Sequence, residues 1–280
     1  MDAAKKKELQ KLALKIRIAE IEEFKSLGFG HIGGSLSITD ALAVLYGAVM
    51  NVDPKDPKKE DRDKLVCSKG HAGPAVYAAL AVKGYFPYDD IKTLNKPGTN
   101  FPSHCDRLKT TGVDMTTGSL GQGTSLAVGM ALGDRLKGLD SRTFLIVGDG
   151  ESDEGQVWEA AMFTGAKKVT NLVWLIDDNK KQLDGYTKDI IYQRDYVAKF
   201  EAFGFDAERV NGNDVEEVYE ALTRPVGDKP RAIILDTVKG AGVKEVEETM
   251  NNHSMTKDTE TYDRWLKELR DQLDALEQEA

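Results

Sequence analysis

Thr143-Phe144-Leu145-Ile146-Val147-Gly148-Asp149-Gly150 and Asn171-Leu172-Val173-Trp174-Leu175-Ile176-Asp177-Asp178-Asn179 are the stretches that decide the fold of this chain. Each carries an unbroken apolar run that ends in glycine or acidic residues. Neither alternates polar with apolar, so both read as strands covered on two faces, the pattern of a parallel sheet. Helical spacing over 154–168 joins them into a βαβ unit.

Alternation continues outward from that unit. An amphipathic helix is expected over about 4–27, from Leu9, Leu12, Ala13, Ile16, Ala19 and Phe24, ending at Gly28 and Gly30. A second helix is expected over 36–50, capped by Ser35 or Ser37. A strand over 63–67 and a helix over 71–83 follow, then a loop over 95–115 rich in Gly, Pro, Thr and Asn, long enough to suggest function. Beyond it the pattern predicts helices over 122–136, 195–203 and 214–222, strands over 205–210 and 231–237, and a polar C-terminal helix over about 258–276. The expected fold is α/β: one doubly wound domain over residues 1–280, with a mainly parallel sheet and helices on both faces.

Composition narrows the function classes. With 40% hydrophobic and 30% charged positions in 280 residues, the chain reads as a globular protein with one large core. Its apolar runs fall short of the roughly 20 residues of a membrane span, so no membrane partner is expected. The start, Met1-Asp2-Ala3-Ala4-Lys5-Lys6-Lys7, lacks the apolar core of a secretory signal. Cys67 and Cys105 alone imply neither a disulfide framework nor a zinc site, which fits a cytoplasmic location. A net charge of −9 and no long basic run make nucleic acid a poor partner.

Gly148-Asp149-Gly150 stands where α/β sheets bind ligands, at the carboxyl end of a parallel strand. A bare diphosphate beside Asp149 would be repelled by about 4 kcal/mol per charge pair at about 4 Å and an effective dielectric of about 20. A bridging cation removes the conflict. Asn179 ends the next strand, and neighbouring strands lie about 4.8 Å apart, so Asp149 and Asn179 are placed to share one ion. Their oxygens, a backbone carbonyl near Lys181, two phosphate oxygens and a water would complete a shell of about six, suited to Mg2+, with Ca2+ or Mn2+ also possible.

Two glycine patterns point elsewhere and fail. Gly28-Phe29-Gly30-His31-Ile32-Gly33 matches a dinucleotide fingerprint in letters but follows a helix instead of a strand. The acidic run from Asp149 resembles a calcium loop, yet its glycine is misplaced and Ala160 stands where the bidentate Glu belongs. Four histidines, His31, His71, His104 and His253, each sit in or beside a loop of small or polar residues, which invites a shared site without showing one. Cys105 beside His104 is a weak candidate nucleophile, because adjacent residues rarely point the right way.

Taken together, Gly30-His31-Ile32-Gly33, Ser68-Lys69-Gly70-His71, Thr117-Gly118-Ser119-Leu120-Gly121-Gln122-Gly123, Gly148-Asp149-Gly150 with Glu154-Gly155, and Asp177-Asp178-Asn179 occur in the order found in transketolases. The chain resembles that family over residues 10–255 or so. It stops where a pyrimidine-binding domain usually follows, so the resemblance implies the N-terminal subunit of a two-polypeptide transketolase. The implied cofactors are thiamine diphosphate and Mg2+. The implied partner is a C-terminal subunit, in a two-fold heterotetramer that works on ketose and aldose phosphates.

The resemblance also implies roles. Asp149, Asn179 and the carbonyl near Lys181 would hold the metal, and Gly150, His71 and His253 would contact the diphosphate. Gly118, Ser119 and Leu120 would face the aminopyrimidine. His31, His104 and His253 would surround the donor ketose and move the proton that triggers carbon–carbon cleavage. Glu154 would sit at the subunit interface near the cofactor. Gly30 replaces a frequent Ser and Ser119 a frequent Pro. The glutamate that activates the cofactor ring lies on the missing domain, so the chain alone is expected to be inert. The rivals are the α chain of a thiamine-dependent 2-oxo-acid dehydrogenase, over which the Gly30-His31 and Gly70-His71 loops favour transketolase, and a non-catalytic scaffold of the same fold.

Overall fold

The computed structural model describes residues 1–278. A long helix, α1 (Ala3–Leu27), is opened by Asp2, whose carboxylate accepts the Lys5 N–H, and is closed by left-handed Gly28 at φ 84°. A two-residue strand β1 (Phe29–Gly30) leads into α2 (Ile32–Leu36), α3 (Thr39–Val44) and a π turn, Leu45–Val49. Next come β2 (Lys64–Cys67), a 3-10 turn (Gly70–Ala72), α4 (Gly73–Lys83) and a second 3-10 turn (Tyr88–Thr93). An irregular segment then runs to α5 (Gln122–Lys137).

The unit predicted around residue 148 follows as β3 (Thr143–Gly148), a 3-10 turn (Glu151–Asp153), α6 (Gly155–Ala166) and β4 (Leu172–Asp178). After the short α7 (Thr187–Ile190) come α8 (Tyr196–Ala202), β5 (Asp206–Asn211), α9 (Val215–Thr223) and β6 (Arg231–Asp236). The chain closes with α10 (Lys244–Glu248), β7 (Met255–Thr256) and α11 (Thr259–Gln278).

Among the described residues β2, β3, β4, β6 and β5 form one parallel sheet in that order. Side chains alternate between its faces, as strand geometry requires. Cys67, Phe144, Ile146, Leu175 and Ile233 meet the layer of α1, α3, α4 and α9. Val66, Leu145, Val147, Trp174 and Ile234 meet Ala127, Ala131, Val157, Ala161 and Phe200 of α5, α6 and α8. Cover on both faces explains the unbroken apolar runs Phe144–Val147 in β3 and Leu172–Ile176 in β4. A third cluster, with Ile21, Phe24, Trp265 and Leu269, packs α11 on α1.

The region expected to be one helix over 36–50 is instead broken into α2, α3 and a π turn, and neither serine caps it. The Ser35 hydroxyl donates to the His31 carbonyl at 3.0 Å, and Ser37 donates to Asp177 at 2.8 Å. Hydroxyls engaged in this way leave the helix ends to His31 and Ile38, and neither makes a side-chain cap hydrogen bond. Unforeseen from the sequence was the pairing of β1 with β7, Phe29 opposite Thr256 and Gly30 opposite Met255. Two residues per strand carry no periodicity to detect, yet this pairing brings the segments of His31 and His253 together.

Candidate active site

The carboxyl ends of the central strands open into a cleft of about 390 Å³, lined by His31, His71, His104, His253, Asp149 and Asn179 among others. The register Gly148 opposite Asp177 places Asp149 immediately beyond β3 and Asn179 beyond β4. The Gly150 N–H donates to Asp149 Oδ1 at 2.7 Å. Asp149 Oδ2 is buried with no hydrogen-bond partner among the described residues. An unpartnered carboxylate oxygen is costly unless protonated or met by a cation. Burial, and then Asp177, push the Asp149 carboxyl up to about 7.

Asn179 is oriented from behind. Its Nδ2 donates to Asp177 Oδ2 at 2.8 Å, which leaves Oδ1 to accept the Lys181 N–H at 3.2 Å. Asp177 also accepts from Ser37, from Thr237 at 2.5 Å, and from the buried Lys69 ammonium at 2.5 Å. Burial pushes the Asp177 carboxyl upward, but Lys69 and these donors outweigh it and hold the group below its ordinary value. The Lys181 carbonyl accepts from Lys239 Nζ at 2.8 Å. One carboxylate oxygen, one amide oxygen and one carbonyl, with an ammonium drawn beside them, form a hard-oxygen donor set of the kind Mg2+ or Ca2+ accepts.

The four histidines do converge. The His31 ring lies 5.5 Å from His71, 5.6 Å from His104 and 5.4 Å from His253, and His71 lies 4.7 Å from His253. Burial lowers all four, with Lys69 adding to the effect at His71 and Lys239 at His253, which falls to about 3. At neutral pH the cluster is uncharged. Lys239 Nζ sits 3.2 Å from His253 Nδ1; an ammonium can only donate, so the neutral ring carries its proton on Nε2.

Backbone fit matters on the opposite wall. A Cβ on Gly70 would lie 2.6 Å from the Thr117–Gly118 peptide, so only glycine lets the His71 turn pack on the 118–120 segment. Gly118 and Leu120 line the cleft; Ser119 is exposed and Glu154 is exposed outside the lining. The buried carboxylate at this wall is Glu151, which accepts from Ser68 at 2.5 Å and from the N–H groups of Gly121 and Gly148 at 2.9 and 3.0 Å. Cys105 is buried, its thiol pushed up to about 12, so it offers no thiolate at neutral pH.

Residues 9–268 match the family model described as transketolase, thiamine diphosphate binding domain. The chain belongs to the transketolase family. It is 49% identical over 250 residues to the 6-deoxy-6-sulfo-D-fructose transketolase subunit SqwG of Clostridium sp. (strain MSTE9), covering 89% of this chain and 91% of that subunit. It is 38% identical over 245 residues to an apulose-4-phosphate transketolase subunit from Actinobacillus succinogenes, covering 87% of this chain and 88% of that one. The solved Campylobacter jejuni transketolase superposes with a TM-score of 0.85 at 27% identity, over 98% of this chain but 43% of that one. The chain therefore matches subunits of split transketolases nearly end to end and spans under half of that longer transketolase.

Lys69, Lys239, Asp177 and Glu151 were not singled out from the sequence, although they line or support the cleft. A signal existed for Lys69, inside Ser68-Lys69-Gly70-His71, and for Lys239, which precedes Gly240-Ala241-Gly242. Nothing local marks Asp177 over Asp178: adjacent strand residues point to opposite faces of the sheet, and only the packing around it shows which face Asp177 joins.

Proposed function

We propose that this chain is the diphosphate-binding half of a two-polypeptide transketolase, transferring a two-carbon ketol unit from a ketose to an aldose phosphate. The observation that carries the reading is the buried, unpartnered Asp149 Oδ2, which shares one cleft with four contacting histidines. Asp149, Asn179 and the Lys181 carbonyl would hold Mg2+, while Gly150, His71, His253 and Lys239 would meet the diphosphate. The 118–120 backbone would face the aminopyrimidine. Thiamine diphosphate, when bound, supplies the electron sink for the carbanion left by carbon–carbon cleavage.

The protein's own part is to orient and to move protons. Uncharged His31, His104 and His253 offer both donor and acceptor nitrogens to sugar hydroxyls, and an imidazole lowered by burial releases a proton readily after accepting one. The Lys239 contact keeps the His253 proton on Nε2. Lys69 neutralises Asp177, so the remaining cation-seeking charge is that of Asp149.

A partner chain is part of the proposal, as is a cytoplasmic location. Leu120 and Leu183 line the cleft yet remain 37% and 65% exposed, and Leu126, Met162 and Phe163 stay exposed on the neighbouring α5 and α6. Such a surface fits a covering chain. We propose a pyrimidine-domain subunit there, in a two-fold heterotetramer with Glu154 at the interface. The 49% identity to SqwG makes 6-deoxy-6-sulfo-D-fructose the first donor to test, with xylulose 5-phosphate beside it. The chain is to be assayed alone and mixed with a matching C-terminal subunit. Activity only in the mixture is expected, and robust turnover by the isolated chain would contradict the proposal.

A further inference from the structure

A second groove lies away from the cleft, on the irregular segment that also carries His104. It has a volume of about 420 Å³ and is lined by Lys58, Arg62, Arg107, Lys109, Thr111 and Gly112, with Asp114 as its acidic member. Asp114 is already engaged: it pairs with Arg62 and accepts the Leu65 N–H at 2.7 Å. The side chains of Lys58, Arg107 and Lys109 make no ion pair or hydrogen bond among the described residues. Three uncompensated cations and one anchored guanidinium in one hollow are notable on a chain of net charge −9, because like charges gathered without a counter-ion repel one another.

The hollow is preformed. The loop that builds it is closed at its base, where Thr117 N–H donates to the Cys105 carbonyl and Arg107 N–H to Thr116 Oγ1, both at 3.1 Å. Its tip turns at Gly112, φ 90°, where an added Cβ would lie 2.6 Å from the Tyr85 ring. The N–H groups of Thr111 and Gly112 take no acceptor among the described residues. Free N–H groups in a tight turn beside arginine and lysine are the donors that phosphate oxygens accept.

We infer that this groove binds a multiply charged small anion bearing phosphate groups, at a site separate from the cleft. The two sites lie at opposite ends of the edge strand β2: Asp114 meets Leu65 near its amino end, and Thr117 Oγ1 donates to the Cys67 carbonyl at its carboxyl end, at 2.7 Å. The groove is compact, has no aromatic side chain in its lining for base stacking, and so suits a metabolite better than a nucleic acid. The inference is independent of the cofactor reading.

Calorimetry of the full chain with sodium tripolyphosphate in metal-free buffer tests it, comparing wild type with Arg107→Gln/Lys109→Gln. Both positions are exposed, so the double variant should unfold at the wild-type temperature. It should lose one site, weakened at least about tenfold by removal of two of four cations, while any binding in the cleft persists. Absence of tripolyphosphate binding to wild type, or identical isotherms for the two proteins, would overturn the inference. Binding of poly-glutamate but not tripolyphosphate would overturn it in favour of an acidic protein segment.

Discussion

Asp177 at the floor of the cleft and Glu23 in α1 are both fully buried carboxylates, each in the company of a second acidic group, and they are treated oppositely. Asp177 takes hydrogen bonds from Lys69, Ser37, Thr237 and Asn179 and is held below its ordinary value. Among the described residues neither Glu23 oxygen has a partner, and burial followed by Glu20 pushes it well above. Among the described residues Glu20 receives only Thr39, at 2.6 Å, and rises to about 7. One carboxylate is kept ionised because it orients an amide and a lysine at the cleft. The pair in α1 has no such cation among the described residues and is held above the ordinary carboxylate range by its burial.

The largest effect should come from removing the cation. Lys69→Met leaves the buried Asp177 without its counter-charge, and should cost about 3–5 kcal/mol in urea unfolding at pH 7. Glu23→Gln, which replaces an already neutral group by a neutral one, should cost little at pH 5. Equal losses for the two variants would erase the distinction.

A second effect is read from pH. Glu20 has a folded-state value above its ordinary one, so the folded protein binds more protons over that interval. Its stabilising contribution is full below about 4.5 and declines as pH rises through about 7. Glu20→Gln should flatten that decline by up to about 3 kcal/mol between pH 4.5 and 7. A decline of the same slope in both proteins would place the titration elsewhere. Ser37→Ala, which removes one of four donors to Asp177, should cost about 1 kcal/mol by the same denaturation measurement, well below the loss for Lys69→Met.

The contrast also marks how far the sequence could be read. Unbroken apolar runs announced β3 and β4, and the ends of those runs announced Asp149 and Asn179, because parallel strands deliver their carboxyl ends to one edge. Each histidine was visible in its loop, but the meeting of His31 with His253 depends on β1 pairing with β7 across more than two hundred residues of chain, through strands of two residues. Buried charge was the least legible feature. Glu20 and Glu23 lie in a charge-rich helix that reads as solvent-facing, and only the packing of α3, α4 and α11 around α1 shows that those faces are covered. Of the serines expected to cap a helix, Ser35 turns back to the His31 carbonyl and Ser37 is recruited to Asp177, a use that depends on a strand far away in the sequence.

The central proposal is a cation at Asp149, whose Oδ2 is buried without a hydrogen-bond partner among the described residues. The most direct test is calorimetry of thiamine diphosphate with Mg2+ on the enzyme assembled with its partner chain, comparing wild type with Asp149→Ala. The account predicts that the variant folds cooperatively and binds the cofactor at least about a hundredfold more weakly, with no further response to added Mg2+. Unchanged, Mg2+-dependent affinity in a well-folded variant would contradict it.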